Sequence, residues 1–215
     1  MMSTDSLPST SWQIHVVDDD EAFRRSLVFL LESMGWDVVA HTSATRFLEQ
    51  GLPQASAIGC LLLDVRMPGM SGLELQQQLR SLECALPIVF LTGHGDVELA
   101  VQAMKHGAFD FLEKPFKDQR LLDIVAAALR QREASLQSEE RTRQASTRLQ
   151  QLTPREAEVA LLVARGLPNK LVARELDISE KTVHIHRQHV MEKTGLGSAA
   201  ELARLILQAE PRGLD

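Results

Sequence analysis

Cysteine is scarce: Cys60 and Cys84 are the only two in 215 residues. That is too few for a disulfide framework, and the pair lacks the spacing of a metal knuckle, so both are expected to be reduced thiols. Tyrosine is absent and aromatics make up 4% of the chain, which leaves the core to Val, Ile, Leu and Ala. No segment approaches the about 18 uninterrupted apolar residues of a membrane span. Residues 1–11 are polar, carry a proline and lack the apolar stretch of an export signal. A cytoplasmic protein with no membrane contact is expected. An overall basic excess is missing as well. Residues 1–130 hold 10 Lys/Arg against 17 Asp/Glu, or −7, residues 131–150 hold 4 against 3, or +1, and residues 151–215 hold 9 against 9. The acidity belongs to the first part, and any case for nucleic acid in the last part must rest on pattern, not net charge.

What the chain does have, up to about residue 130, is alternation. Apolar, β-branched runs at residues 14–17, 36–40, 58–65, 87–91 and 109–112 are separated by amphipathic stretches. This predicts βαβ units, a parallel sheet and helices on both faces, an α/β flavodoxin-like (βα)5 domain over residues 12–130 behind a disordered tail at 1–11. Phe23, Leu27, Leu30, Leu31 and Met34 form one apolar helical stripe, and Val97, Ala100, Val101 and Met104 another. Gly35 and Gly107 follow as helix stops. From Leu121 a helical pattern runs on through Leu129 and Leu136 into a polar stretch without Gly or Pro. The next seven-residue step lands on Arg143, so no heptad seam is sustained. A polar helical linker over residues 131–150 is expected, with a short dimerising coil as the alternative.

The last part is punctuated by helix caps. Thr153, Pro154 and Glu156 make an N-cap, a first-turn proline and a capping box. Gly166 closes that helix, a second is expected over 170–176, a third over about 180–194 behind Ser179, and a fourth from Ser198, with Glu201 completing another box. Four short helices with a tight turn at residues 177–179 outline an all-α helix-turn-helix domain over residues 151–210.

Chemistry concentrates at the strand ends of the first domain. Asp64 closes the run Leu61-Leu62-Leu63 just before the Pro/Gly turn Met67-Pro68-Gly69. Asp18, Asp19 and Asp20 follow residues 14–17 in the same way. Ligands of open α/β sheets sit outside the carboxyl ends of the strands, and carboxylates gathered there repel unless a cation lies among them. Mg²⁺ is the expected ion, a hard cation satisfied by one or two carboxylates plus water and phosphate oxygens. Asp20 reads as the N-cap of the helix carrying Phe23. Thr92 and Lys114 each end a further apolar run.

Asp-Asp, Asp-x-x-Met-Pro-Gly-x-x-Gly, Leu-Thr-Gly and Lys-Pro-Phe, in this order, resemble the receiver domain of two-component response regulators. The resemblance implies that Asp64 takes a phosphoryl group from a sensor histidine kinase. It implies direct Mg²⁺ binding by Asp19, Asp64 and the backbone carbonyl of Arg66, with Asp18 acting through water. Lys114 and Thr92 would stabilise the phosphoryl group, Phe111 would act as rotamer partner of Thr92, and Lys114–Pro115 would be a cis peptide. Arg66 and His94 flank the expected path of water to the aspartyl phosphate.

Leu152-Thr-Pro-Arg-Glu, Gly166-Leu-Pro-Asn-Lys and Ile178-Ser-x-Lys-Thr-Val-x-Ile-His-Arg resemble the LuxR-type helix-turn-helix of FixJ/NarL-family regulators, and the two domains together look closest to the FixJ-like branch. On the third helix His184, Ile185 and Gln188 share one arc, while Val183, His186 and Val190 lie opposite. His184 and Gln188 suit base edges and Ile185 a thymine methyl; Lys181, Thr182 and Arg187 suit phosphates. A zinc site among His184, His186 and His189 is not expected, because the first two point apart and no cysteine is near.

The expected function is a phosphorylation-dependent transcriptional regulator with Mg²⁺, a sensor kinase, promoter DNA and RNA polymerase as partners. It would dimerise on phosphorylation through residues 97–107 and 109–114, with Leu202, Leu205, Ile206 and Ala209 adding a contact on DNA. A phosphohydrolase of the haloacid-dehalogenase type would need a second Asp two residues after Asp64. Arg66 stands there, so a phosphoacceptor switch is expected instead of an enzyme.

Overall fold

The structure is a computed structural model that describes residues 12–50, 57–93, 97–210 and 213. The expected tail at residues 1–11 and His94 lie outside them. The chain divides into two compact units, Met1–Ala134 and Ser135–Asp215.

The first unit alternates strand and helix: β1 (Gln13–Val17), α1 (Glu21–Ser33), β2 (Asp37–His41), α2 (Ala44–Gln50), β3 (Ile58–Asp64), α3 (Gly72–Ser81), β4 (Ile88–Thr92), α4 (Val97–Lys105), β5 (Asp110–Glu113) and the first half of α5 (Asp118–Leu149), whose residues from Ser135 on belong to the second unit. The strands pair in parallel in the order β2-β1-β3-β4-β5. Side chains alternate across the sheet. On β3, Leu61 and Leu63 join Phe47, Leu75, Leu79 and Ala103 from α2, α3 and α4, while Cys60 and Leu62 join Leu27, Leu31, Leu121 and Val125 from α1 and α5. With both faces covered, every residue of β3 is buried, which is why the central strand reads as a continuous apolar run.

Two stripes differ from the sequence expectation. On α4 the buried position is Ala103, with Leu99 partly buried beside it. Val101 and Met104, expected on the inner stripe, are 49% and 46% exposed. Apolar residues lie on both sides of this helix, so periodicity alone did not identify the inner one. The converse holds for the last helix, α9 (Ala199–Ala209). Leu202, Leu205 and Ile206, expected to serve a dimer contact, are buried, Leu202 and Ile206 within the core of their own unit, and Leu207 faces outward. Four helices need one inward stripe each, and this is the only strongly apolar one α9 has.

In the second unit α9 packs with α6 (Pro154–Ala164), α7 (Asn169–Glu175) and α8 (Glu180–Thr194) around Val159, Val163, Val172, Val183, Val190 and Leu202. Asp177, at φ 52°, makes the left-handed turn between α7 and α8, and Ile178 N–H donates to Ala173 O at 3.0 Å. The capping box of α6 forms as read. At α9 Ser198 accepts from Glu201 N–H, but the Glu201 carboxylate turns to Gly197 N–H instead of Ser198. Among the described residues, no helix is long and apolar enough to cross a membrane.

Candidate functional site

The chain leaves β1 toward β2 on one side and β3 on the other, so the sheet order reverses at β1. That reversal opens a crevice at the carboxyl ends of β1 and β3, where Asp18 and Asp64 stand. Each is fixed by short-range bonding. Asp18 Oδ1 accepts from Asp20 N–H at 2.9 Å, and its carbonyl accepts from Arg24 Nη1 at 2.7 Å. Asp20 itself turns into α1 as N-cap, accepting from Ala22 N–H and Phe23 N–H, the structural role expected for it.

Asp64 ends a buried strand, and its Oδ2 accepts from Arg66 N–H at 2.8 Å. The turn that follows closes on Gly72, whose N–H donates to Val65 O at 3.0 Å. A Cβ on Gly72 would lie 2.2 Å from the Asp64 carbonyl oxygen, so only glycine lets α3 start this close to the acceptor strand.

Lys114 joins the two carboxylates. Its Nζ donates to Asp18 Oδ2 at 2.7 Å and to Asp64 Oδ1 at 2.7 Å, across 96 and 50 residues of chain. Its backbone N–H donates to Thr92 O at 2.6 Å, and the Lys114–Pro115 bond is cis. Burial first, and the charge of Asp18 next, raise the Asp64 pKa above the usual carboxylate value despite the hydrogen bonds from Lys114 and Arg66. Burial alone would depress the Lys114 ammonium, but its bonds and charge contacts with Asp18 and Asp64 outweigh that and raise it. Thr92 is buried, with Oγ1 donating to Gly93 O at 3.3 Å. Phe111, half-buried, packs against the core on the α3–α4 side of the sheet.

Asp19 is exposed, and among the described residues no three His, Cys, Asp or Glu side chains converge as a ready metal cage. The Lys114 ammonium lies between the Asp18 and Asp64 carboxylates. The donors at this point are all oxygens, two of them on partly or fully buried carboxylates. Such a set fits a hard divalent cation, which asks for only one or two carboxylates and takes water for the rest.

Two features beside the crevice were not anticipated. Phe23, read as core packing, also lies under Lys114, with Nζ 3.9 Å from the ring centroid. His15 and His41 form a buried stacked pair, Nδ1 to Nε2 at 2.9 Å. Burial, then the neighbouring His41, lowers the His15 pKa to about 4. No short-range signal marks either feature, since each depends on strands and helices meeting.

On α8, Val183 and Val190 are buried while Lys181, His184, Ile185 and Gln188 are exposed. Ile185, 44% exposed, is a large apolar side chain on an otherwise polar face. Thr182 is half-buried, its hydroxyl 2.8 Å from that of Ser179. Arg187, also half-buried, donates to Asn169 Oδ1 at 3.2 Å, tying α8 to α7. Glu156 does more than cap α6. It accepts from Lys193 Nζ at 2.6 Å and from Thr153 N–H at 2.8 Å, and these bonds, Lys193 first, lower its pKa to about 2.

Comparison with known proteins separates the same two units. Residues 14–126 match the response regulator receiver domain family and residues 150–206 the bacterial regulatory proteins of the luxR family. The chain is 46% identical over 201 residues to the transcriptional regulatory protein FixJ of Bradyrhizobium diazoefficiens, covering 94% of this chain and 97% of that one. It is 43% identical to the response regulator protein TodT of Pseudomonas putida over 89% of this chain and 84% of the other. Among solved structures it resembles the response regulator StyR, with a TM-score of 0.81, 44% identity and coverage of 91% and 98%. Full-length FixJ from B. japonicum gives a TM-score of 0.59 at 46% identity, covering 94% and 98%.

Proposed function

The chain belongs to the response regulators that join a receiver domain to a LuxR-type helix-turn-helix domain, and from that premise we propose that Asp64 is its phosphoryl acceptor, with Lys114 and Thr92 stabilising the phosphoryl group. The protein is a phosphorylation-dependent DNA-binding regulator of transcription. One observation carries the assignment of the site: the Lys114 ammonium lies 2.7 Å from a carboxylate oxygen of both Asp18 and Asp64.

An Asp64 carboxylate oxygen forms the new P–O bond as the P–N bond to an imidazole of the sensor kinase breaks. Asp18, Asp19, Asp64 and the Arg66 carbonyl would hold Mg²⁺, which when bound offsets charge on the transferring oxygens. Lys114 supplies a second positive charge at the same point. Thr92, at the end of β4, turns toward the attached phosphoryl group, and Phe111 follows it inward. The half-exposed Val101 and Met104 on α4 support a phosphorylation-dependent dimer surface on the α4–β5 face.

In the effector unit, residues 151–210 by our assignment, Lys181, Thr182 and Arg187 approach phosphates, and His184, Ile185 and Gln188 approach base edges. Arg187 serves this while anchored on Asn169. Residues 131–150 link this unit to the receiver at 12–130. The absence of an acid two residues after Asp64 favours a switch without catalytic turnover, acting in the cytoplasm on promoters with RNA polymerase.

Labelling with radioactive acetyl phosphate tests the core of this reading. The wild type should be labelled with Mg²⁺ and not with a chelator, and Asp64→Asn should abolish labelling. Full labelling of Asp64→Asn would refute the assignment. Footprinting on a bound promoter with and without the phosphodonor then tests coupling to DNA.

A further inference from the structure

We propose that Phe23 is a positioning residue for Lys114, one jaw of an aromatic clamp that Phe116 closes. The proposal rests on the reading of Lys114 as the cation that stabilises the phosphoryl group. An ammonium has three N–H donors, and two of them are engaged by Asp18 and Asp64. The remaining side of the head group meets the Phe23 ring, 3.9 Å from Nζ to centroid, well within cation–π range. A phenyl ring attracts the charge without offering an acceptor that would compete with the carboxylates.

The ring is itself held in place. Phe23 lies in the first turn of α1, where its backbone N–H donates to Asp20 at 3.0 Å. Phe116 meets it in a T-shaped contact, centroids 5.9 Å apart at 76°. Since Phe116 follows Lys114 by two residues, the β5–α5 connection grips Phe23 through both side chains. Lys114 hangs on a flexible four-carbon stem, and this grip restricts where its head group can go.

Two opposite consequences follow. In the resting state the clamp favours the ammonium between Asp18 and Asp64 and so competes with a divalent cation for those oxygens. During phosphoryl transfer it keeps the ammonium at the crevice when the carboxylates take other partners. Core packing alone would need only an apolar side chain of similar size, which leucine supplies without a ring face.

The test compares full-length wild type, Phe23→Leu and Phe23→Tyr. Mg²⁺ affinity is measured by calorimetry on the unphosphorylated protein, and labelling by acetyl phosphate is timed at saturating Mg²⁺. Phe23→Leu should bind Mg²⁺ about two- to fivefold more tightly yet be labelled about three- to tenfold more slowly, the scale of one partly desolvated cation–π contact. Phe23→Tyr, which keeps the ring face, should stay within about twofold of wild type in both. A purely structural role would weaken both properties together, so parallel losses in Phe23→Leu would overturn the clamp. So would an unchanged Phe23→Leu, or a Phe23→Tyr that behaves like it. A wild type that takes no label on Asp64 would instead overturn the reading of the site on which the clamp rests.

Discussion

Replacing Lys114 by methionine keeps an apolar stem over Phe23 but leaves Asp18 and Asp64 facing each other without the ammonium. At 2.7 Å and an effective dielectric of about 20, each contact carries about 6 kcal/mol of Coulomb attraction, most of it offset by desolvation. Removing one partner of a buried ion pair costs about 3–5 kcal/mol. The Lys114 side chain keeps 21% of its surface in water, which points to the lower end, about 3 kcal/mol at neutral pH. The pH dependence has a definite sign. Asp64 already titrates above the usual carboxylate value because of burial, and without Lys114 it must rise further. A folded-state carboxylate pKa above the unfolded one means that the folded protein binds more protons between the two, so stability falls as pH rises through that window. The deficit should therefore be full at neutral pH and shrink as pH drops into the carboxylate range. Saturating Mg²⁺ should also recover part of it, because a ligand of the folded state stabilises that state. Both tryptophans, Trp12 and Trp36, lie in the first unit, so tryptophan fluorescence during urea unfolding of the full chain reports this unit alone. With a urea slope of about 2 kcal/mol per molar, the midpoint should fall by about 1.5 M at pH 7. Equal midpoints for variant and wild type at pH 7 without Mg²⁺, or a deficit that grows as pH falls, would refute the reasoning.

The same fluorescence assay addresses His15, whose folded pKa of about 4 lies below its ordinary 6.5. Its contribution is complete above about pH 6.5 and is lost as pH falls toward 4, by up to about 3 kcal/mol. His15→Gln should flatten that slope, and an identical slope in both proteins would rule His15 out. Gly72→Ala pushes a methyl group against the Asp64 carbonyl, and an overpacking cost of about 1–3 kcal/mol should appear as a lower urea midpoint and slower labelling; a variant equal to wild type in both would contradict the close approach. On α8, Ile185→Ala or Gln188→Ala should weaken specific DNA binding by about 1–3 kcal/mol while sparing non-specific binding. Lys181→Ala should weaken all sequences alike and lower the salt slope by about one; titrations at several salt concentrations separate the two classes, and a swap of these patterns would invalidate the assigned roles.

Features of this protein that depend on residues a few positions apart were legible in the sequence. The alternation of β-branched runs and amphipathic stretches, the glycine stops at 35, 107 and 166, the Asp20 N-cap and the Thr153–Glu156 capping box are all set within one turn or one strand, where backbone geometry leaves little choice. The sequence likewise indicated that Asp18, Asp64, Thr92 and Lys114 end their strands, and parallel pairing brings such ends to one edge. Tertiary structure alone decided which of those groups touch. Lys114 reaches Asp18 and Asp64, while the neighbouring Asp19 stays exposed, a division between adjacent aspartates that depends on where β5 delivers the ammonium and not on their own spacing. Phe23 beneath Lys114, Arg187 on Asn169 and Lys193 on Glu156 join elements distant in sequence, and the inward faces of α4 and α9 were chosen by what each helix packs against. No periodicity encodes these contacts, since they follow from strand register and helix docking, which the whole chain settles at once.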